Sequence, residues 1–199
     1  MEPVSTVRGK ALPLDRPNVD TDQIIPAKHL KRIERTGYGP FAFEAWRSDP
    51  DFVLNNPAYD GARILISRQN FGSGSSREHA VWAIQGLGID ALIAPSFADI
   101  FKGNCLQGGV LTIELPDEDV DYLMARAEEL PESELVVDLE SQRVSTADGS
   151  WTRRFDIDPY KKHRLLRGLD DIGMTLAQED DITAFEAGRD DAAYPRTEP

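Results

Sequence analysis

Residues 63–96 read RILISRQNFGSGSSREHAVWAIQGLGIDALIAPS: an apolar run, a glycine-serine turn, a helical pattern and a second apolar run. The first run, ARILISR, is short, continuous and β-rich, which predicts a strand buried on both faces. Residues 77–85 place Ala80, Val81, Ala83 and Ile84 at inward helical spacing. DALIAPS then predicts a second buried parallel strand. The order strand, turn, helix, strand is that of an α/β domain.

Working outward, FADIFKGN at 97–104 predicts a short helix, and VLTIEL at 110–115 a third strand after a Gly-Gly turn. DEDVDYLMARAEEL at 117–130 is an amphipathic helix with Val120, Leu123, Met124 and Ala127 on one face. Residues 134–157 carry strand signals around an Asp148-Gly149 hairpin turn. Residues 159–188 read as mostly helical. Upstream, VRGKALPL and PNVDTDQIIP mix short apolar pieces with turn residues, and Ile24-Ile25 before Pro26 predicts the end of a short strand. The basic, glycine-bounded segment from His29 to Gly39 reads as a loop or frayed helix. The expectation is a single α/β domain over residues 1–187, a mixed sheet flanked by helices, with a disordered tail at 188–199.

The turn itself carries the chemistry. Gly72 and Gly74 permit a tight bend, while Ser75 and Glu78 match a capping box for the helix that follows. Capping accounts for Ser75 and Glu78 but not for Ser76 and Arg77, and an arginine in a first turn is opposed by the helix dipole. An anion site reverses that cost. Backbone N–H groups, two hydroxyls and a guanidinium fork together suit a carboxylate, and such a cradle lowers the energy of a negative oxygen, so that a serine there can serve as a base. The turn lacks the Gly-Lys-Ser/Thr ending of a P-loop, and Arg77 stands where a dinucleotide fingerprint needs its third glycine.

GSGSSREHA, with NVDTDQIIPAKHLKRIERTG upstream and FADIFKGNCLQGG downstream, resembles the small subunit of bacterial 3-isopropylmalate dehydratase, in the aconitase superfamily. The similarity runs from about Gly9 to Glu186. It implies a swivelling β/β/α domain. It also implies a lyase of leucine biosynthesis that interconverts 2-isopropylmalate and 3-isopropylmalate through isopropylmaleate. By motif position Ser75 resembles the family's general base, and Ser76 and Arg77 its substrate-carboxylate ligands. Thr21 and Asp22 resemble a stretch lining the same cleft, though Asx-type turn bonds are an alternative for Asp20 and Asp22. In the loop from Lys28 to Gly37, Leu30 would face an isopropyl group, and Lys31 and Arg32 would meet a carboxylate. A basic surface patch is the alternative there. His29 departs from the family's usual aromatic.

The chain has one cysteine, Cys105, and three histidines, His29, His79 and His163, without metal-ligand spacing. A cuboidal iron–sulfur cluster needs at least three thiolates. The resemblance therefore implies that no metal is bound by this chain, and that a 4Fe–4S cluster is held in a separate large subunit, over which this chain closes. Cys105 reads either as a small buried apolar residue or as a neighbour of the cleft.

The remaining composition is exclusionary. With 35 acidic against 22 basic residues, the net charge of -13 disfavours nucleic acid and anionic membranes as partners. No apolar run of membrane-spanning length occurs and the N-terminus lacks a leader pattern, so a cytoplasmic protein is expected. The small subunit of a homoaconitate- or methylmalate-type hydro-lyase remains an alternative, as does a non-catalytic module that only grips a carboxylate.

Overall fold

The computed structural model describes residues 1–75, 77–169, 173, 179 and 183–185. Among these, seven strands form one sheet in the order β4-β3-β2-β1-β5-β6-β7. The strands are β1 (Thr6–Leu14), β2 (Ile64–Ser67), β3 (Ala91–Ala94), β4 (Leu111–Glu114), β5 (Glu134–Asp138), β6 (Arg143–Thr146) and β7 (Thr152–Arg154). The sheet is parallel from β1 to β4 and antiparallel from β1 through β7. This is the expected mixed sheet.

β1 is the pivot, and its sequence pattern shows why it reads so weakly as a strand. Residues 6–10 pair antiparallel with β5, while residues 11–14 pair parallel with β2. Pro13 lies beyond the stretch paired to β5, where one edge of β1 carries no ladder and a missing N–H leaves no bond unmade.

The buried strands β2 and β3 supply apolar side chains to both faces. Leu65 and Leu92 join one core with Leu12, Leu14, Ala80, Val81, Ile84, Phe101 and Cys105. Ile64, Ile66, Ala91 and Ile93 join the other with Val120, Leu123, Met124 and Ala127. After the short helices α1 (Thr21–Ile24) and α2 (Glu44–Arg47), α3 (Glu78–Gly86) and α4 (Asp99–Gly108) cover the first face, and α5 (Asp117–Glu129) the second. The continuous apolar runs at 64–66 and 91–94 follow directly from this double burial.

Two local expectations fail for tertiary reasons. Residues 21–24 form not a strand end but the helical turn α1 (Thr21–Ile24), capped reciprocally by Asp20 and Gln23. Only Ile25, the residue before Pro26, is extended. The anticipated capping box at Ser75 is not formed either. Helix α3 has Arg77 as its N-cap, with no side-chain capping bond, because Ser75 is drawn toward α1 instead. The hairpin turn at Gly149 (φ 72°) lies between β6 and β7 as expected. The helix α6 (Pro159–Arg167) opens with Asp158 accepting from the Tyr160 and Lys161 amides. The remaining helical reading and the tail at 188–199 fall outside the described residues, apart from the isolated positions noted above.

Gly72 is demanded twice over. Its φ is 77°, and a Cβ there would lie 2.2 Å from Phe101 Cγ. Gly61 shares the conformation (φ 74°) but has nothing within 4 Å of a Cβ. Gly72→Ala is therefore expected to cost about 2–5 kcal/mol, left-handed strain plus overpacking. Gly61→Ala should cost only about 1–2 kcal/mol. Urea unfolding of both variants checks the difference.

The β6–β7 turn has a pH signature. Asp148 accepts from the Thr146 and Ser150 hydroxyls and the Ser150 amide, which hold its carboxyl well below the usual carboxylate range. A depressed carboxyl contributes stability above its unfolded pKa of roughly 4, and that contribution is lost as pH falls toward the folded value. Asp148→Asn should lower the melting temperature at pH 7 and flatten its fall below pH ~4. Thermal melts across that window measure it.

Candidate active site

The candidate site forms where the chain leaves β1 and β2. The strand-like pairing of β1 with β2 continues past their ends as a line of backbone hydrogen bonds. Asn18 N donates to Gln69 O at 2.9 Å, Gly72 N to Val19 O at 2.7 Å, and Thr21 N to Ser73 O at 2.9 Å. Asn18 and Asn70 both adopt positive φ (56° and 60°), and the Asn70 amide donates to Asn18 Oδ1 at 2.9 Å. Asparagine tolerates that conformation better than other non-glycine residues. On the far side Phe71 N donates to Ser96 O at 3.1 Å and Ala98 N to Phe71 O at 3.0 Å. The turn is thus stitched between the segments that follow β1 and β3.

A cleft of about 270 Å³ opens beside it, lined by Thr21, Gly72, Gly74, Ser75, Arg77, Ala98, Asp99, Ile100, Phe101 and Asn104. Gly74 (φ 89°) turns the chain so that Ser75 is exposed at the cleft, while Thr21 Oγ1 donates to the Ser75 carbonyl at 2.8 Å. Thr21 itself is only 2% exposed. Arg77 reaches back to an ion pair with Asp22, its side chain 17% exposed against 54% for Asp22. The capping box at Asp20 fixes the same helical turn, so the Asx-type reading holds for Asp20.

The structure brings Ser75, Arg77 and Thr21 together on the cleft wall, with Asp22 against Arg77. Ser76 lies outside the described residues. Leu30, Lys31 and Arg32 are not among the residues that line this cleft. Leu30 and Lys31 belong to a 3-10 turn at Ala27–Lys31, where Leu30 packs against the first core. The Arg32 guanidinium stands 5.1 Å over the Phe41 ring and 5.5 Å over that of Tyr38. His29 stacks on Phe41 at 4.2 Å and meets Glu44 at 2.6 Å. Hydrogen bonds from Lys28 and then His29 hold the Glu44 carboxyl below its ordinary range.

Helix α3 ties this loop to the cleft. Tyr38, wholly buried, sits edge-on to His79 at 5.6 Å and tilted against Trp82 at the same distance. At the helix end a Cβ on Gly39 would fall 2.0 Å from Gly86 O, so the loop and helix backbones touch. Sequence reading missed Asp99, Ile100 and Asn104 as lining residues. Their only sequence signal was membership of the FADIFKGNCLQGG block.

The family follows from comparison. Residues 1–118 match the sequence model of the aconitase C-terminal domain. Residues 171–193 match that of the C-terminal domain of the 3-isopropylmalate dehydratase small subunit. A 3-isopropylmalate dehydratase small subunit from Rubrobacter xylanophilus is 58% identical over 95% of this chain and 96% of its own length. One from Rhodopirellula baltica is 53% identical over 95% of this chain and 100% of its own. The chain belongs to the 3-isopropylmalate dehydratase small-subunit family. A solved dehydratase structure from Methanocaldococcus jannaschii superposes with a TM-score of 0.65 at 24% identity, over 91% of this chain and 99% of that one. The fold is therefore the family's own, the aconitase C-terminal-domain type expected from the sequence.

Cys105 is wholly buried in the core behind the cleft, and burial pushes its thiol well above the ordinary value. Thiolate is the reactive form, so an aromatic disulfide reagent should leave Cys105 untouched in the native chain and react stoichiometrically in denaturant. Absorbance of the released thiol measures both.

Proposed function

We propose that this chain supplies the base and the carboxylate grip of an isopropylmalate isomerase, and that the site is completed by a large subunit. As a member of its family it is a hydro-lyase subunit of leucine biosynthesis. The observation that carries the residue assignment is the cleft, where an exposed hydroxyl (Ser75) and a guanidinium (Arg77) share one wall with the buried Thr21.

Ser75 is assigned as the general base that removes the proton beside a substrate carboxylate. Arg77 and Ser76 bind that carboxylate, and neutralising it makes the neighbouring carbon more acidic. Thr21 belongs to the same wall, and Asp22 meets it through Arg77. Leu30, Lys31 and Arg32 are assigned to the substrate's variable end, reached from the loop when the complex is closed. Rehydration reverses the proton transfer at the alternative carbon.

Loss of hydroxide needs an electrophile, and the residues of this chain do not fit an iron–sulfur cluster. Cys105 is the lone cysteine and is wholly buried, and among the described residues no three His, Cys, Asp or Glu side chains gather as metal ligands. We assign the 4Fe–4S cluster to the large subunit. The substrate is a small dicarboxylate, and the setting we infer is the cytoplasm. No described helix is long and apolar enough to cross a membrane.

The test is turnover of 2-isopropylmalate under anaerobic conditions, by this chain alone and with a cluster-loaded large subunit. Ultraviolet absorbance of isopropylmaleate should rise only in the mixture. Ser75→Ala should then lower kcat by about 10²–10⁴-fold, the range for a positioned base. Silence from an assembled wild-type complex would overturn the substrate assignment.

A further inference from the structure

The ion pair between Asp22 and Arg77 raises a question of roles. Arg77 lines the cleft, whereas Asp22 is not among its lining residues. Asp22 is not free. Its carboxylate is taken up by the Arg77 guanidinium. Asp22 therefore makes poor sense as a substrate ligand and good sense as the group that aims one.

The geometry around the pair supports this. Arg77 sits at the N-cap of α3 in an extended conformation (φ −143°, ψ 108°) and receives no help from a capping bond. Its long side chain has many rotamers to choose from, and an unaimed arginine spends most of its time elsewhere. Asp22 is on a far stiffer mount. The residues on either side, Thr21 and Gln23, are fixed by bonds to Ser73, Ser75 and Asp20. One guanidinium nitrogen, Nη1, meets Asp22, and among the described residues the other guanidinium donors make no hydrogen bond. A guanidinium can pair one edge with a fixed carboxylate and still present the other to a ligand.

We propose that Asp22 is a positioning residue: it anchors Arg77 by one edge so that the opposite edge faces the substrate carboxylate. Asp22 does not touch the substrate. It also offsets the arginine charge, so the resting cleft holds a neutral pair, and the clamp gains its value through placement rather than net attraction. The same short helix fixes Ser75 through Thr21, so one turn of chain sets the spacing between base and clamp. This inference rests on the assignment of Arg77 as a carboxylate ligand.

The consequence separates KM from kcat. Asp22→Asn leaves Arg77 charged but loosely held. In the assembled complex, KM for 2-isopropylmalate should stay level or fall, since a repelling charge is gone. The kcat should fall about 10–100-fold, the scale of a misplacement near 1 Å. Asp22→Glu should recover part of the loss. In an Arg77→Ala background, Asp22→Asn should add almost nothing, because its effect passes through Arg77.

A measurement on the isolated chain needs no activity. The Arg77 Nε–Hε resonance, assigned by its loss in Arg77→Lys, should show restricted motion in the wild type and sharpen to a mobile signal in Asp22→Asn. A rise in KM with kcat unchanged would make Asp22 a substrate ligand and overturn the proposal, as would a fully additive effect in the double variant. An unchanged resonance would overturn it too. If the wild-type complex fails to turn over 2-isopropylmalate while the resonance behaves as described, the functional assignment has failed and the positioning has not.

Discussion

The seam of hydrogen bonds joining residues 18–21 to residues 69–75 carries the site. Each such bond contributes only about 1 kcal/mol net, but leaving buried backbone groups unpaired would cost more. The seam prolongs the β1–β2 pairing beyond Leu14 and Ser67 and ends at the Thr21 hydroxyl on the Ser75 carbonyl. Its curvature depends on residues that accept positive φ, Asn18 and Asn70 paired through their amides, and Gly72 and Gly74 in the turn. Without the seam, Ser75 would be free to cap α3, as its local pattern invites. The tertiary bond wins, and the serine is held out of the helix at the cleft.

From that point the rest of the cleft follows by packing. Phe101 fills the space that a side chain on Gly72 would occupy, and it brings Asp99, Ile100 and Asn104 of α4 to the opposite wall. Helix α3 runs from Arg77 to the close backbone contact between Gly86 and Gly39. It is thus a shared strut between Arg77 and the base of the basic loop. Tyr38 is held edge-on against its His79 and tilted against its Trp82, so the loop cannot shift at that end without disturbing the helix that starts after Arg77.

What could be read from sequence was what local periodicity encodes. The runs at 64–67 and 91–94 show their double burial as unbroken apolar residues, and α5 displays its buried face at regular spacing. β1 was obscure because its two halves serve different partners, and a proline is allowed where one edge is unpaired. The helical turn at 21–24 was hidden because two isoleucines before a proline resemble a strand end, while its stability comes from the Asp20–Gln23 box and bonds to the distant turn. Ser75 misled for the same reason, since a capping pattern is local and the bond that overrules it spans 54 residues. The motif named Ser75 and Arg77 correctly as neighbours in space, but nothing in it could reveal that the half-exposed Asp22 pairs with Arg77.

On the proposed assignment, Ser75 also shows why half a site is not a weak whole one. Its hydroxyl is exposed, and in water a serine alkoxide is far too costly to act as a base near neutrality. The donors that would stabilise such an oxygen exert their full effect only once bulk water is gone. None of the described residues covers Ser75, and a net charge of -13 works against holding a second anion nearby without enclosure. The neutral Asp22–Arg77 pair fits that setting: it fixes geometry in the open state without presenting a naked cation for solvent anions to occupy. A partner that closes over this wall would then supply water exclusion and the electrophile together, and the serine would become basic only when a substrate is already in place.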